Sequence, residues 1–341
     1  MDYVVYALTA AATLAICWRA DAIARVLGVM DEPDGKRKLH ARATPLVGGL
    51  AIMLPVIGLG LLCALTPPLD RFFLAIALAG GGATLLGYLD DRRHIPALRR
   101  LIVSVAIGAG AMLYAPGFVV DVLHFSLPGA TFFLGVPAGV TFTMFCLVGL
   151  QNAVNMADGK NGLVIGMALI WVLILMAHAP EPLVPLLVVF SIGLAITFVF
   201  NVRGRLFLGD AGTYGLSMTL GLIAIYVYEV TPMTFRADTA ALLFLIPVVD
   251  TLRLMLFRAL AGHSPFRSDR CHFHHILLEL MPWHWSLLVY LALVAIPSFL
   301  ARYWPEWALL WAIGAVAIYV CIAALRYRVA MARPLGHPFT G

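Results

Sequence analysis

Residues 72–93, FFLAIALAGGGATLLGYLDDRR, decide the fold, because an apolar run ends abruptly on two adjacent acids and two arginines. The run, placed at 70–89, is close to the roughly 20 residues that an α-helix needs to cross about 30 Å of hydrocarbon. Asp90 and Asp91 would then lie at the end of a membrane-spanning helix, where the negative end of the helix dipole repels carboxylates. A divalent metal ion or a phosphate-bound cation would compensate for this repulsion. A solvated pair balanced by the two arginines is the alternative.

The same alternation of apolar runs and polar gaps extends along all 341 residues. Hydrophobic residues make up 62% of the chain and charged residues only 12%, whereas about 25% of a soluble globular protein is charged. This composition excludes a soluble globular protein and predicts an all-α polytopic membrane protein with about eleven transmembrane helices. The predicted spans are 3–27, 46–66, 70–89, 99–116, 131–150, 162–179, 182–200, 212–230, 238–258, 286–303 and 306–325.

Lysine and arginine are distributed unequally between alternate connections, which predicts the orientation. Most of them lie in every second gap, whereas the other connections hold only Arg71, Arg236 and Arg302. We therefore expect the N-terminus outside and the C-terminus in the cytoplasm. The sequence pI near 9.0 then reflects topology, so the expected partners include membrane lipids and no nucleic acid.

The acids and histidines occupy the same gaps as the basic residues, so one end of the bundle is expected to contain the chemistry. We predict a single integral membrane domain, 1–341, with active-site cytoplasmic loops at 31–49, 89–100, 152–163, 201–212 and 258–284. The five cysteines have no paired spacing, which argues against a disulfide framework or a zinc site.

The gap 152–163 contains amides and a carboxylate at intervals of three. In a helical turn, Asn152, Asn155 and Asp158 would share one face. Gly159 would free the backbone to approach a ligand. An Asx-rich turn between helices is the alternative, but such groups at membrane depth are costly without a function.

Two further aspartates lie near the ends of spans. Asp210 follows Gly209 in a gap with two arginines; a phosphate-binding role and simple helix capping both explain it. Asp250 precedes Arg253 by one turn, and we interpret this pair as structural.

The segment 262–275 combines three clustered histidines with two arginines. Zinc binding normally needs other spacings and cysteine partners, and the arginines would repel a cation, so an anion such as a diphosphate fits better. Solvated loop histidines are the alternative. In the first gap, Gly48 and Gly49 would allow a phosphate to approach a helix N-terminus.

Taken together, the gaps predict phosphoryl transfer. Carboxylates without cysteines favour Mg²⁺ or Mn²⁺, and Mg²⁺ is typically held by one or two carboxylates plus substrate phosphates. Positioning and charge neutralisation perform most of the catalysis in such reactions. Because no Walker or kinase motif is present, we expect a nucleotide conjugate as donor and a lipid as acceptor.

The polar motifs, in this order, resemble those of the polyprenyl-phosphate N-acetylhexosamine-1-phosphate transferases, and the resemblance spans residues 31–275. The histidine segment is similar to that of the bacterial UDP-GlcNAc:undecaprenyl-phosphate GlcNAc-1-phosphate transferases. The motifs are Asp31-x-Pro33 with Arg37-Lys38-x-His40 and Pro45-x-x-Gly48-Gly49; Asp90-Asp91; Asn152-x-x-Asn155-x-x-Asp158-Gly159; Phe207-x-Gly209-Asp210-x-Gly212; and Ser264-Pro265-Phe266 leading to His272-x-His274-His275.

This resemblance implies a multi-pass enzyme of the bacterial inner membrane that transfers GlcNAc 1-phosphate from a UDP-sugar to undecaprenyl phosphate. It implies Asp90, Asp91, Asp158 and Asp210 as catalytic residues, with Asp210 and Asp91 as metal ligands. The implied substrate-binding residues are Asn152, Asn155, Asn161, Lys38, His40, Arg267, Arg270, His272, His274 and His275.

Position 161 departs from the family pattern, because many relatives have an aspartate where this chain has Asn161. This position resembles the family's uracil contact, and an amide can still bond to both the N3–H and a carbonyl group of uracil. The change leaves the sugar open between UDP-GlcNAc, UDP-GalNAc and deoxy-amino sugars.

Three other classes of protein predict different sequences. An ion-coupled membrane transporter would spread its acids through the spans and show repeated halves. A CDP-alcohol-type phosphotransferase would have a compact Asp-rich helix motif, and a structural scaffold gives no reason for the histidine segment. A homodimer stays open as an alternative to a monomer.

Overall fold

The computed structural model describes residues 2–32, 43–65, 70–127, 130–262, 264 and 271–332. These residues are mostly helical. The helices are α1 (Asp2–Trp18), α2 (Ala20–Leu27), α3 (Gly48–Cys63), α4 (Asp70–Arg93), α5 (Ala97–Tyr114), α6 (Gly135–Ala157), α7 (Leu163–His178), α8 (Val184–Val202), α9 (Gly209–Val230), α10 (Ala237–Leu260), α11 (Phe273–Leu280), α12 (Trp283–Tyr303) and α13 (Ala308–Ala332). Two short antiparallel pairs join β1 (Met30–Asp31) to β2 (Thr44–Pro45) and β3 (Val122–His124) to β4 (Thr131–Phe133).

The helices confirm an all-α polytopic membrane protein. Within the described residues, eight helices are long and apolar enough to cross a bilayer, and α1 with α2 would make a ninth if the bent pair forms one span. Helices α3 and α7 are apolar but only 16 residues long. Each of the eleven apolar runs predicted from the sequence coincides with one or two of these helices. The number of helices that cross the membrane and their orientation stay predictions.

The first predicted span, 3–27, is not one straight helix. The chain bends by 74° between α1 and α2. Helix α2 is amphipathic: it buries Ala20 and Ala24 and exposes Arg25. A charged face suits the membrane surface better than the hydrocarbon, so the polar end of this run explains why the helix turns.

Helix α9 lies at the centre of the bundle, with 94% of its apolar window buried, compared with 56% for α4. Glycines permit this packing, as is common between membrane helices. A Cβ atom on Gly87 of α4 would lie 2.1 Å from the carbonyl oxygen of Asp210, and one on Gly49 of α3 would lie 2.2 Å from the amide nitrogen of Gly212. The first turn of α9 is therefore held between two neighbouring spans.

These contacts correct the expectation that Gly48 and Gly49 receive a phosphate. The amides of Gly48 and Gly49 donate to the carbonyl oxygens of Phe207 and Leu208, at 3.0 and 2.9 Å. The start of α3 is thus already bonded to the segment before α9, and the two glycines serve helix packing.

The polar gaps meet at one end of the bundle, as their alternation predicted. The amide of Phe207 donates to the carbonyl of Pro45 in β2, and the amide of Gly162 donates to the side chain of Asn201. At the opposite end, the hydroxyl of Tyr228 in α9 donates to the carbonyl of Val122 in β3. Tyr303, which ends α12, and Trp304 after it are exposed there, as expected where a helix leaves a bilayer.

Candidate active site

The centre of the site is the first turn of α9, which is capped by a residue from another span. Asp91 accepts the amide N–H of Asp210 with Oδ1 at 2.9 Å and that of Ala211 with Oδ2 at 3.0 Å. A carboxylate at this position satisfies two free N–H groups and faces the positive end of the helix dipole. Because Asp91 performs the capping, the capping interpretation of Asp210 is wrong, and the side chain of Asp210 is available for another role.

Gly209 makes this arrangement possible. Its φ is +73°, and a Cβ atom there would lie 2.8 Å from Oδ2 of Asp91. An L-residue at this position would therefore be strained and would also displace the Asp91 carboxylate.

The side chain of Asp210 turns toward the end of α6. Its Oδ1 accepts the Nδ2–H of Asn155 at 2.6 Å, and the same amide lies 3.2 Å from Oγ1 of Thr213. The structure thus brings together Asn155 and Asp210, which the sequence placed in different gaps. Asn152 lies one turn earlier, and its Nδ2 donates to the carbonyl of Val148 in its own helix at 2.8 Å.

Asp90 is buried and holds the elements around it in place. Its Oδ1 accepts the amide of Ile95 at 2.7 Å, while Oδ2 accepts from Nη1 of Arg100 at 2.6 Å and from the hydroxyl of Tyr214 at 3.1 Å. These bonds tie α4 to α5 and α9. The two neighbouring acids thus differ, because Asp90 forms an ion pair whereas Asp91 binds neutral amides.

Asp158 follows the last residue of α6 and lies within electrostatic range of Asp210. Desolvation by the surrounding protein and the negative charge of Asp210 raise the pKa of Asp158. Since the side chain is nevertheless exposed at the surface of the loop, a bound cation has access to it and would relieve this repulsion.

The donor set suits a magnesium ion that is completed by substrate. In the described part of the chain, no three His, Cys, Asp or Glu side chains are arranged to bind one ion. Mg²⁺ usually takes only one or two carboxylates and completes its shell with water and phosphate oxygens. Asp91 and Asp210, bonded to neutral N–H donors and beside Asp158, fit that requirement.

The histidine segment contacts the loop after α6. A Cβ atom on Gly159 would lie 2.3 Å from Nε2 of His274, so the imidazole rests directly on this glycine. Burial and the neighbouring charges of His275 and His272 lower the pKa of His274 well below its usual value. His274 is therefore neutral at pH 7.

The three imidazoles lie close to one another at the start of α11. The rings of His272 and His274 are parallel at 5.7 Å, and those of His274 and His275 lie 4.3 Å apart. The predicted binding residues Lys38, His40, Arg267 and Arg270 lie outside the described residues.

Two side chains that the sequence did not single out fix the loop around Asn161. Asn201 accepts the amide of Gly162 at 2.6 Å and donates to the carbonyl of Leu206 at 2.9 Å. The indole of Trp283 donates to the carbonyl of Asn161 at 3.0 Å. The sequence signal for Asn201 was an amide directly after the apolar run 182–200, because an amide that is buried there requires hydrogen-bond partners.

Asp250 was interpreted only as the partner of Arg253. That pair is present at 2.8 Å, but Asp250 also accepts from Nδ1 of His272 at 2.9 Å. The residue is therefore part of the support of the histidine segment.

A cluster of acids, amides and imidazoles at one end of a multi-span helical bundle defines a membrane-embedded enzyme. The profile of glycosyl transferase family 4 matches residues 73–228, which include Asp90, Asp91, Asp158 and Asp210.

Named relatives match over most of the chain. The decaprenyl-phosphate N-acetylglucosaminephosphotransferase of Mycolicibacterium smegmatis is 30% identical over 292 residues, which cover 75% of this chain and 71% of the relative. The undecaprenyl-phosphate alpha-N-acetylglucosaminyl 1-phosphate transferases of Yersinia pestis and Escherichia coli K12 are 29% and 27% identical, covering 78% and 84% of this chain and 74% and 81% of the relatives. The chain belongs to glycosyl transferase family 4, and the transporter alternative is not favoured.

Proposed function

We propose that this protein transfers N-acetylglucosamine 1-phosphate from UDP-GlcNAc to undecaprenyl phosphate, giving undecaprenyl-diphospho-GlcNAc and UMP. The names of the relatives support the substrates. The observation on which the proposal rests is the contact of Asp91 with the first turn of α9, which places Asp91 and Asp210 side by side. The product would initiate the synthesis of a cell-envelope glycan.

The reaction is a displacement at phosphorus. An oxygen of the lipid phosphate attacks the β-phosphorus of the UDP-sugar, and the bond from that phosphorus to the bridging oxygen breaks. UMP leaves with this oxygen and its electron pair. Because the second pKa of a phosphate monoester is about 6, the lipid phosphate is already mostly dianionic at pH 7. No side chain therefore needs to remove a proton from the nucleophile.

Charge is then the main obstacle, since a dianion approaches a diphosphate beside several carboxylates. When bound, Mg²⁺ or Mn²⁺ would supply charge neutralisation at the phosphates. Asp210 and Asp91 would hold the ion, and Asp158 lies beside them. Asn155 orients the Asp210 carboxylate through its bond of 2.6 Å. Asp90 of α4 holds α9 in place through its bond with the hydroxyl of Tyr214.

The nucleotide would bind between the loop after α6 and the histidine segment. Asn161 is the candidate contact for uracil, and its carbonyl group is fixed by Trp283. His272, His274 and His275 are the candidate contacts for the diphosphate. His274, as a neutral imidazole, would act there through hydrogen bonding.

The substrates imply the location. UDP-sugars are cytosolic and undecaprenyl phosphate is a membrane lipid, so the site would face the cytoplasm from the inner membrane of a bacterium. The excess of lysine and arginine in the gaps at the same end supports this orientation.

The test uses purified protein in lipid nanodiscs that contain undecaprenyl phosphate. UDP-GlcNAc, UDP-GalNAc and a UDP-deoxy-amino sugar are added separately with Mg²⁺, and UMP and the lipid product are quantified. We expect UMP release with UDP-GlcNAc, its loss in EDTA, and its recovery with Mg²⁺ or Mn²⁺. Release with only another sugar would correct the substrate, and no release with any of them would refute the transferase proposal.

A further inference from the structure

A buried polar network inside the membrane domain lies behind the histidine segment. Asp250 of α10 is only 4% exposed. It accepts from Nδ1 of His272 at 2.9 Å, from the amide of Phe273 at 3.1 Å and from the hydroxyl of Tyr319 at 2.8 Å. A charged group at this depth is costly and is usually retained for a function.

Arg253 completes the network from the same helix. Its Nη2 donates to Oδ1 of Asp250 at 2.8 Å and to the carbonyl of Cys271 at 2.6 Å, and its Nε donates to the hydroxyl of Tyr319 at 2.5 Å. The network therefore fixes the backbone on both sides of His272 as well as its ring.

Tyr319 lies in the middle of α13, far along the chain from the other site residues. Its ring packs on Phe273 at 4.6 Å, and its hydroxyl reaches both Asp250 and Arg253. Tyr319 thus connects α13 to the start of α11 through both its hydroxyl and its ring.

The bond to Asp250 distinguishes the two ring nitrogens of His272. With Nδ1 held by the Asp250 carboxylate, Nε2 is the nitrogen available to a ligand, and the ring cannot turn without breaking the bond. The ring of His274 lies parallel to that of His272 at 5.7 Å and rests on Gly159, so His272 lies close to the loop after α6.

We infer that Asp250, Arg253 and Tyr319 are positioning residues that orient His272 toward the diphosphate of the sugar nucleotide. The inference rests on the proposed function for the identity of that nucleotide. Tyr319 offers the mildest test, because its hydroxyl bonds to Asp250 and Arg253 and its removal leaves the Asp250 carboxylate in place.

The experiment compares Tyr319→Phe with Tyr226→Phe in nanodiscs. Tyr319→Phe removes one hydroxyl and keeps the ring on Phe273. Tyr226 of α9 is also buried, but it packs on Phe72 near the opposite end of the bundle, so Tyr226→Phe is the matched control. For each protein, the dissociation constant of UDP-GlcNAc, the KM of both substrates, kcat and the unfolding temperature are measured.

For Tyr319→Phe we expect the dissociation constant and KM of UDP-GlcNAc to rise about 5-fold, a modest effect because the two lost hydrogen bonds support His272 only indirectly. The KM of undecaprenyl phosphate should not change. Asp250→Asn, which removes the charge that holds His272, should raise the same two constants by more than Tyr319→Phe does. Tyr226→Phe should leave all of them unchanged.

The inference is wrong if Tyr319→Phe binds UDP-GlcNAc as the unaltered protein does, or if the KM values of both substrates rise equally. A purely structural role for Tyr319 would lower the unfolding temperature and leave the affinity for UDP-GlcNAc unchanged. Failure of the proposed function shows separately, as no UMP release by the unaltered protein, because nucleotide binding is measured without turnover.

Discussion

Two aspartates occupy the same position in consecutive spans but at opposite ends of the bundle. Asp210 is the second residue of α9 and Asp238 is the second residue of α10. Asp238 accepts the amide of Thr239 at 3.1 Å with one oxygen, and the amide and hydroxyl of Ser126 with the other. Asp238 thus satisfies a free N–H of the first turn and lies at the positive end of the helix dipole, and both effects stabilise the helix.

Asp210 does not perform this work, because Asp91 caps the helix in its place. Its carboxylate lies instead beside other acids, and this arrangement opposes folding through charge repulsion. A position in a helix therefore does not identify a functional acid. A functional acid is indicated when a second acid caps the helix in its place and its own carboxylate lies among other carboxylates.

The largest expected effect separates these two aspartates directly. Asp210→Asn should lower the rate of UMP release by about 10³-fold, because a ligand for the cation and the transition-state charge is lost. Asp238→Asn should leave turnover within about twofold and reduce the free energy of unfolding by about 1–3 kcal/mol, the cost of weakened buried hydrogen bonds. Both are measured at saturating Mg²⁺. Near-normal turnover in Asp210→Asn would remove Asp210 from the catalytic centre.

A second pair of variants separates backbone strain from displacement of Asp91. Gly209 and Gly135 have φ values of +73° and +70°, so alanine should cost about 1–2 kcal/mol at either position. Only at Gly209 would the new Cβ meet Asp91, since nothing lies within 4 Å at Gly135. We expect Gly209→Ala to reduce kcat by about 10-fold or more and Gly135→Ala to leave it unchanged. Equal losses of kcat would show that the position of Asp91 is unimportant.

Much of the fold followed from the sequence because each apolar run of about 20 residues has one favourable arrangement in a bilayer. The alternation of gaps also predicted that Asp91, Asn155 and Asp210 share one end. Both properties depend on composition along the chain, which is visible without knowing any tertiary contact.

Predictions from the sequence were wrong or incomplete for Gly49 and Asp250, because the partners of these residues come from other helices. Gly49 suggested the approach of a phosphate, but its neighbour is Gly212 of α9. Asp250 appeared to need only Arg253, one turn away, whereas Tyr319 and His272 are 69 and 22 residues distant. A glycine or a buried acid in a sequence indicates that a partner exists, and only the packing shows which one.

The contact between the two loops at the nucleotide site predicts a smaller effect. In Gly159→Ala the new methyl group would meet Nε2 of His274 at 2.3 Å and displace the imidazole. We expect the KM of UDP-GlcNAc to rise about 3- to 10-fold with little change in kcat. Gly149→Ala in α6, where nothing lies within 4 Å, is the control. If both variants have the KM of the unaltered protein, His274 does not help to bind the nucleotide.

The smallest effect tests how unfavourable the charge on Asp158 is in the folded protein, as a difference in stability between Asp158→Asn and the unaltered protein. Desolvation and the charge of Asp210 raise the pKa of Asp158 to about 7 in the folded protein, whereas an unfolded aspartate ionises near 3.9. Between these values the folded state keeps a proton that the unfolded state loses, so this carboxyl makes the protein less stable as the pH rises through that window.

In EDTA at pH 8, Asp158→Asn should therefore unfold at a temperature about 1–2 °C higher than the unaltered protein, a small difference because the side chain is solvent-exposed. At pH 4 the difference should nearly vanish, since the folded carboxyl is then protonated and the unfolded one has only begun to ionise. Adding Mg²⁺ at pH 8 should remove or reverse the difference, because a cation stabilises only the carboxylate. Unfolding temperatures in detergent, recorded at both pH values with and without Mg²⁺, decide this. An unaltered protein as stable as the variant at pH 8 in EDTA would show that Asp158 and Asp210 do not repel each other measurably.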